Sequence, residues 1–184
     1  MVPAAGHPPK TVRDLLALGE GVRAELIGGE IRMTPSPEWV HQHAIGVLHR
    51  RLGAWAEAHG RGFVFLSPLD VYLPSGDVVE PDLLFLARGG SAVLQRWVRG
   101  VPDLVVEVLS PTSIDFDRRV KRDLYARNAV PEYWIVDPEA RTIDVLRLDG
   151  AAYSPIRWAE GEVLVSPGLP EFQLHIAELF TLPR

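Results

Sequence analysis

The chain has 184 residues, 47% of them hydrophobic and 23% charged, proportions that suit one globular domain with a full hydrophobic core. It has no cysteine, which excludes disulfides and thiolate metal centres, and no apolar run approaches the roughly 20 residues of a membrane span, so a cytoplasmic protein is expected. A formal net charge of −5 excludes indiscriminate coating of nucleic acid and leaves room for a local basic groove.

Residues 1–22 read as an N-terminal tail and a short helix. The stretch Met1–Lys10 lacks the apolar core of a signal segment, and Thr11 is placed to cap a helix running to Leu18. Residues 23–184 read as a single domain. Ala24–Met33 has two strand-like arms about Gly28-Gly29, a turn that supplies positive φ angles. A long helix is predicted next, with Ser36 as N-cap and Pro37 in its first position. Val40, Ala44, Val47, Leu48, Leu52 and Trp55 recur at helical spacing, and Gly60 ends the helix. Strands over Phe63–Leu73 and Val78–Ala87 form an antiparallel hairpin about Pro74-Ser75-Gly76-Asp77. Pro81, which has no N–H, predicts an irregularity beside Asp82. Ser91–Arg99 reads as a short helix. Leu104–Leu109, nearly all apolar, reads as a central strand covered on both faces. A helix over Phe116–Asn128 follows, with Asp117, Lys121, Tyr125 and Asn128 along one stripe. Glu132–Val136 and Thr142–Leu148 are further strands, and a last strand and a short helix close the chain.

Three residues break these patterns. Asp82 and Glu107 each place a carboxylate inside a run of β-formers, where burial is costly unless compensated. Lys121 is one of two lysines against seventeen arginines. Its ammonium is a compact donor whose pKa shifts readily, unlike the rigid, permanently charged guanidinium. If the strands of Asp82 and Glu107 are neighbours, the two carboxylates converge and repel. A bound cation is one remedy, and oxygen ligands select Mg²⁺ or Mn²⁺. Such an ion polarises a phosphate oxygen and acidifies a bound water, and Lys121 could orient that water or neutralise the phosphate. Glu25 also interrupts an apolar strand and is the best third carboxylate. The bland readings are a turn-capping Asp82, an Arg-paired Glu107 and a surface Lys121. It is the set in this order that points to a site.

The segments Glu25-Leu26-Ile27-Gly28-Gly29-Glu30, Ser36-Pro37 with His41-Gln42, Glu80-Pro81-Asp82-Leu83 and Pro102–Pro111, with Asp117, Lys121, Tyr125 and Val130–Pro138, resemble the Uma family of restriction endonucleases. That family is a branch of the PD-(D/E)XK nuclease superfamily. The resemblance covers roughly Arg23 to Phe180. It implies an α/β (α+β) fold with a restriction-endonuclease-like core, a mixed β-sheet flanked by helices. It also implies Mg²⁺-dependent cleavage of DNA. Asp82 and Glu107 match the two acids. The usual lysine position, two residues after Glu107, holds Leu109, and Lys121 on the following helix takes its place. His41 matches a family histidine that touches substrate or orients a carboxylate; the alternative is a packed histidine. Asn128, before an Ala129 where glycine is expected, is suited to left-handed geometry at the helix end. Arg118 and Arg122 are candidate phosphate contacts, and a homodimer would supply two active sites for two strands. The alternative reading is a non-catalytic nucleic-acid- or protein-binding module on the same scaffold.

Overall fold

Period-two apolar patterning builds two sheets that share a core. The computed structural model describes residues 8–19 and 21–182; most of the expected tail, residues 1–7, lies outside that range. Helix α1 (Val12–Leu16) is capped by Thr11, whose side chain accepts from the Asp14 N–H while the Asp14 carboxylate accepts from the Thr11 N–H, a reciprocal capping box. β1 (Ala24–Ile27) and β2 (Glu30–Met33) pair antiparallel about Gly28 and Gly29, both at positive φ. Helix α2 (Trp39–Ala58) starts two residues later than Pro37 predicts, because Glu38 is still extended.

The long hairpin is broken rather than continuous. Its arms divide into β3 (Gly62–Leu66), β4 (Val71–Tyr72), β5 (Val78–Val79) and β6 (Leu83–Ala87). Pro68 and Pro81 lie at the two breaks, where a residue without an N–H cannot continue a ladder. The inner pieces β4 and β5 belong to one sheet and the outer pieces β3 and β6 to the other. Ser91–Arg99 is not a helix: it holds the small antiparallel pair β7 (Val93–Leu94) and β8 (Val98–Arg99), whose β-branched residues favour strand.

β9 (Leu104–Val108) is central, antiparallel to β6 and parallel to β10 (Glu132–Asp137). Between them lies one continuous helix, π-wound over Phe116–Lys121 and regular over α3 (Arg122–Arg127). β11 (Thr142–Asp149) and β12 (Ala152–Ala159) extend the sheet, and β13 (Val163–Ser166), β14 (Leu169–His175) and a 3₁₀ turn at Ile176–Leu179 close the described chain. The first sheet runs β2-β1-β5-β4-β8-β7 and the second β12-β11-β10-β9-β6-β3. α2 and the C-terminal hairpin pack on one face of the second sheet. The other face meets the first sheet, with Leu124 and Tyr125 of α3 between them. The mixed α+β class expected from the sequence is the one observed. Among the described residues no helix is long and apolar enough to cross a membrane.

Candidate active site

The site lies where the two sheets and the π-wound helix meet. Glu25 and Ile27 share a face of β1, and Ile27 packs into the layer between the sheets, so alternation carries Glu25 the same way. Glu107 sits mid-strand on β9. Register pairs Leu83 with Val106, so one step outward Asp82 faces Glu107 across the break after Pro81. Lys121 comes from the π turn. Its Nζ donates to Glu107 Oε1 at 2.8 Å and lies 3.0 Å from Glu25 Oε1 and 3.9 Å from Asp117 Oδ1. The four side chains are 5–8% exposed. Tyr125 O–H also donates to Glu107 Oε1, at 2.8 Å, and the Glu80 N–H donates to Glu25 Oε1 at 2.9 Å.

The π turn accounts for this alignment. In an α-helix a step of four residues overshoots one turn. The wider i→i+5 winding undershoots it. Asp117 and Lys121 span the π segment, Lys121 and Tyr125 the regular one, so the opposite drifts offset each other and all three face inward.

Carboxylates outnumber cations here. Burial pushes the Glu107 carboxyl well up; Lys121 pulls it back, and Asp82, Asp117 and Glu25 push it up again. Asp117 is raised by burial against the same pull from Lys121. Burial alone would lower Lys121, but Glu107, Glu25 and Asp117 outweigh it and hold the ammonium well above the usual lysine range. Lys121 is therefore a charged donor at neutral pH.

Asp82 is the open member, its side chain 15% exposed. Its Oδ2 accepts the Val108 N–H at 2.8 Å and lies 3.0 Å from His41 Nε2. The contacts to Asp82 use Oδ2 and those to Glu107 use Oε1, so among the described residues Oδ1 and Oε2 are uncommitted. The structure thus brings Asp82, Glu107, Lys121, Glu25 and His41 together. Arg118 is turned elsewhere, donating to Asp144 at 2.7 Å and Asp137 at 3.0 Å. Arg122 is half exposed and pairs with its neighbour Asp123. Asp117 and Tyr125 join the cluster, although the sequence placed them on a helical stripe and among the family-like segments without giving them a site role. Asp70, half-buried, is raised by burial and by Glu25 and adds to the negative field. At the helix end the left-handed residue is Ala129 (φ +59°), not Asn128. The side chain of Asn128 instead binds Leu124 O and Ser75 N, which holds its backbone out of the left-handed region.

Among the described residues no three His, Cys, Asp or Glu side chains form a ready-made cation cage. Mg²⁺ does not need one, since it keeps several waters and takes one or two carboxylates with phosphate oxygens. Two uncommitted carboxylate oxygens in a site with surplus negative charge fit that donor set.

A family profile, Uma2, described as "putative restriction endonuclease", matches residues 11–177. The chain belongs to the Uma2 family. The match extends from the α1 cap to the 3₁₀ turn, so every element that builds the site lies within it. Among solved structures, one described as a "putative nuclease" from Anabaena variabilis is 20% identical, with a TM-score of 0.77 and coverage of 94% of this chain and 98% of that one; at that identity the likeness shows the fold alone. No curated protein matches the chain. Membership of Uma2 and a nuclease-like fold together support a nuclease function in general.

Proposed function

We propose that the chain is a divalent-metal-dependent endonuclease that hydrolyses phosphodiester bonds in DNA. The observation that carries this reading is the buried Lys121 ammonium held between Glu107 and Glu25, next to an open Asp82 carboxylate. Asp82 and Glu107 would hold Mg²⁺ or Mn²⁺. When bound, the ion would supply positive charge beside the phosphate and a more acidic water. As a charged donor, Lys121 cannot abstract a proton. It orients the attacking water or donates to a phosphate oxygen as charge develops there. Glu25 holds Lys121 by ion pairing, and Tyr125 fixes Glu107 from the other side.

Arg122, the half-exposed guanidinium, is the better phosphate contact of the two named arginines. A two-fold homodimer would set one site on each DNA strand. Incubation of supercoiled plasmid with Mg²⁺ or Mn²⁺ tests the reading. Wild type is expected to nick or linearise it, and linear product without accumulated nicked circles signals paired sites. Asp82→Ala and Lys121→Ala are each expected to lose at least about 100-fold in rate, the usual effect of removing a group that stabilises transition-state charge. Equal rates in all three proteins remove the assignment. Cleavage of RNA alone under the same conditions changes the substrate and keeps the site.

A further inference from the structure

We propose that Arg32 is a substrate contact of this site, its guanidinium held over the Phe116 ring to grip a phosphate of the bound DNA strand at the mouth of the acid cluster. This rests on the nuclease reading above and gives the site a cation that faces outward.

Strand register places Arg32. It stands directly opposite Glu25 across the β1–β2 hairpin, and opposed residues of an antiparallel pair share a face, with Cβ atoms about 4.5–5.5 Å apart. The neighbouring pair, Leu26 and Ile31, packs with Leu15 of α1 on the outer face of the sheet. Glu25 and Arg32 therefore point the other way, toward Lys121. Opposite charges so placed attract, yet these two do not pair. Glu25 Oε1 is taken by Lys121 and the Glu80 N–H, and the Arg32 guanidinium carbon lies 3.7 Å from the centre of the Phe116 ring. Phe116 opens the π turn, one residue before Asp117, so ring and cation stand beside the cluster without entering it.

The cluster is short of outward-facing positive charge. The Lys121 side chain is 7% exposed and bound by acids, and Arg118 is committed to Asp137 and Asp144. Arg32 is exposed and, among the described residues, has no ion pair and no side-chain hydrogen bond. A guanidinium stacked on a ring keeps its planar fork of donors at the rim, the geometry that takes a phosphate bidentately. The ring also restricts a long side chain in advance, so less rotamer freedom is lost when the phosphate arrives. A stacked pair that served packing alone would leave DNA binding untouched, and that difference is measurable.

Fluorescence anisotropy of a labelled DNA duplex tests this on the full chain, with EDTA to prevent cleavage, a series of salt concentrations, and thermal melts to confirm that each variant folds. Arg32→Gln is expected to weaken binding about tenfold, as loss of hydrogen bonding to a charged group does, and to lower the slope of log affinity against log salt by about one. Arg32→Lys keeps the charge and loses the fork, so the slope is expected to stay while affinity falls several-fold. Phe116→Leu keeps the guanidinium and loses the ring, with the same expected signature. In Mg²⁺-supported plasmid cleavage, Arg32→Gln is expected to raise KM about tenfold with kcat little changed, the mark of binding shared by ground and transition states. Wild-type salt slope and KM in Arg32→Gln overturn the proposal and leave the nuclease reading intact. Wild-type affinity in Phe116→Leu overturns the part given to the ring. A wild type that binds DNA with the Arg32-dependent slope and cleaves nothing fails the nuclease reading alone; one that neither binds nor cleaves fails both.

Discussion

At the scale of single residues the site is a problem of uncompensated burial. Glu107 stood out in the sequence because a carboxylate inside Leu104–Leu109 is costly to bury unless compensated, and Lys121 because the chain writes nearly every other cation as arginine. Tyr125 was not legible as a site residue. An aromatic at helical spacing reads as core, and Tyr125 is core: its ring stands 4.9 Å from that of Tyr133. Only the hydroxyl has the second role, and no pattern in a sequence separates the two ends of one side chain. That double role makes a test. Tyr125→Phe keeps the ring packing and removes one donor from Glu107, which retains Lys121. A hydrogen bond to a charged, buried group contributes about 1.5–3 kcal/mol. At this chain length each kcal/mol is worth about 2–4 °C in Tm. Calorimetry is expected to show a drop of several degrees. An unchanged Tm means that the hydroxyl does not hold Glu107.

At the scale of elements, the sequence read well wherever local chemistry decides. The Thr11 cap, the Gly28-Gly29 hairpin, the central strand and the Phe116 helix all formed as expected. It read poorly where neighbours decide. The Ser91–Arg99 helix became two short strands that pair with each other, the second of them also with β4, and the two long strands divided between sheets. The π winding over Phe116–Lys121 was also invisible. Arg118 lies within it. It ties the π turn to β10 and β11 through Asp137 and Asp144, and Asp144 is also gripped by Arg157. Arg118 and Arg122 should therefore behave differently although they lie four residues apart. Arg118→Ala leaves Asp137 without its cation and is expected to cost about 1.5–3 kcal/mol of stability, with the salt dependence of DNA binding unchanged. Arg122→Ala is expected to leave stability within about 0.5 kcal/mol and to reduce the slope of log affinity against log salt by about one. Denaturant unfolding and salt-titrated fluorescence anisotropy separate the two. The reverse pattern would make Arg118 the phosphate contact.

At the scale of the whole molecule, the strand order was beyond the sequence, and β12 was missed because its mostly exposed residues, with Pro155 among them, give no alternating apolar signal. The convergence of Glu25, Asp82, Glu107 and Lys121 is likewise a property of assembly, since it needs both sheets and the helix in place. Among the described residues Lys121 is thus the one Lys or Arg paired with this cluster of acids from three parts of the fold, and its removal should test that assembly. In Lys121→Met, the pull that restrains Glu107 and Asp117 is lost, so carboxyls already raised by burial rise further. The folded variant then binds more protons than the unfolded chain from the ordinary carboxylate range near pH 4 up to those raised values. Its stability must therefore increase as pH falls through that window. In wild type the same acids carry smaller shifts of the same sign. The Lys121 contribution, with its folded pKa raised, is constant below about pH 10 and is lost only as pH rises through the folded value. The stability deficit of the variant is expected to be about 3–5 kcal/mol near pH 8, the effect of leaving buried charges unpaired, and to shrink toward about pH 5 as protons replace the missing ammonium. Urea unfolding of both proteins across that range measures it. A deficit independent of pH would mean that the carboxylates are not mutually charged in the fold, and would leave Lys121 without the partners that its proposed donor role requires.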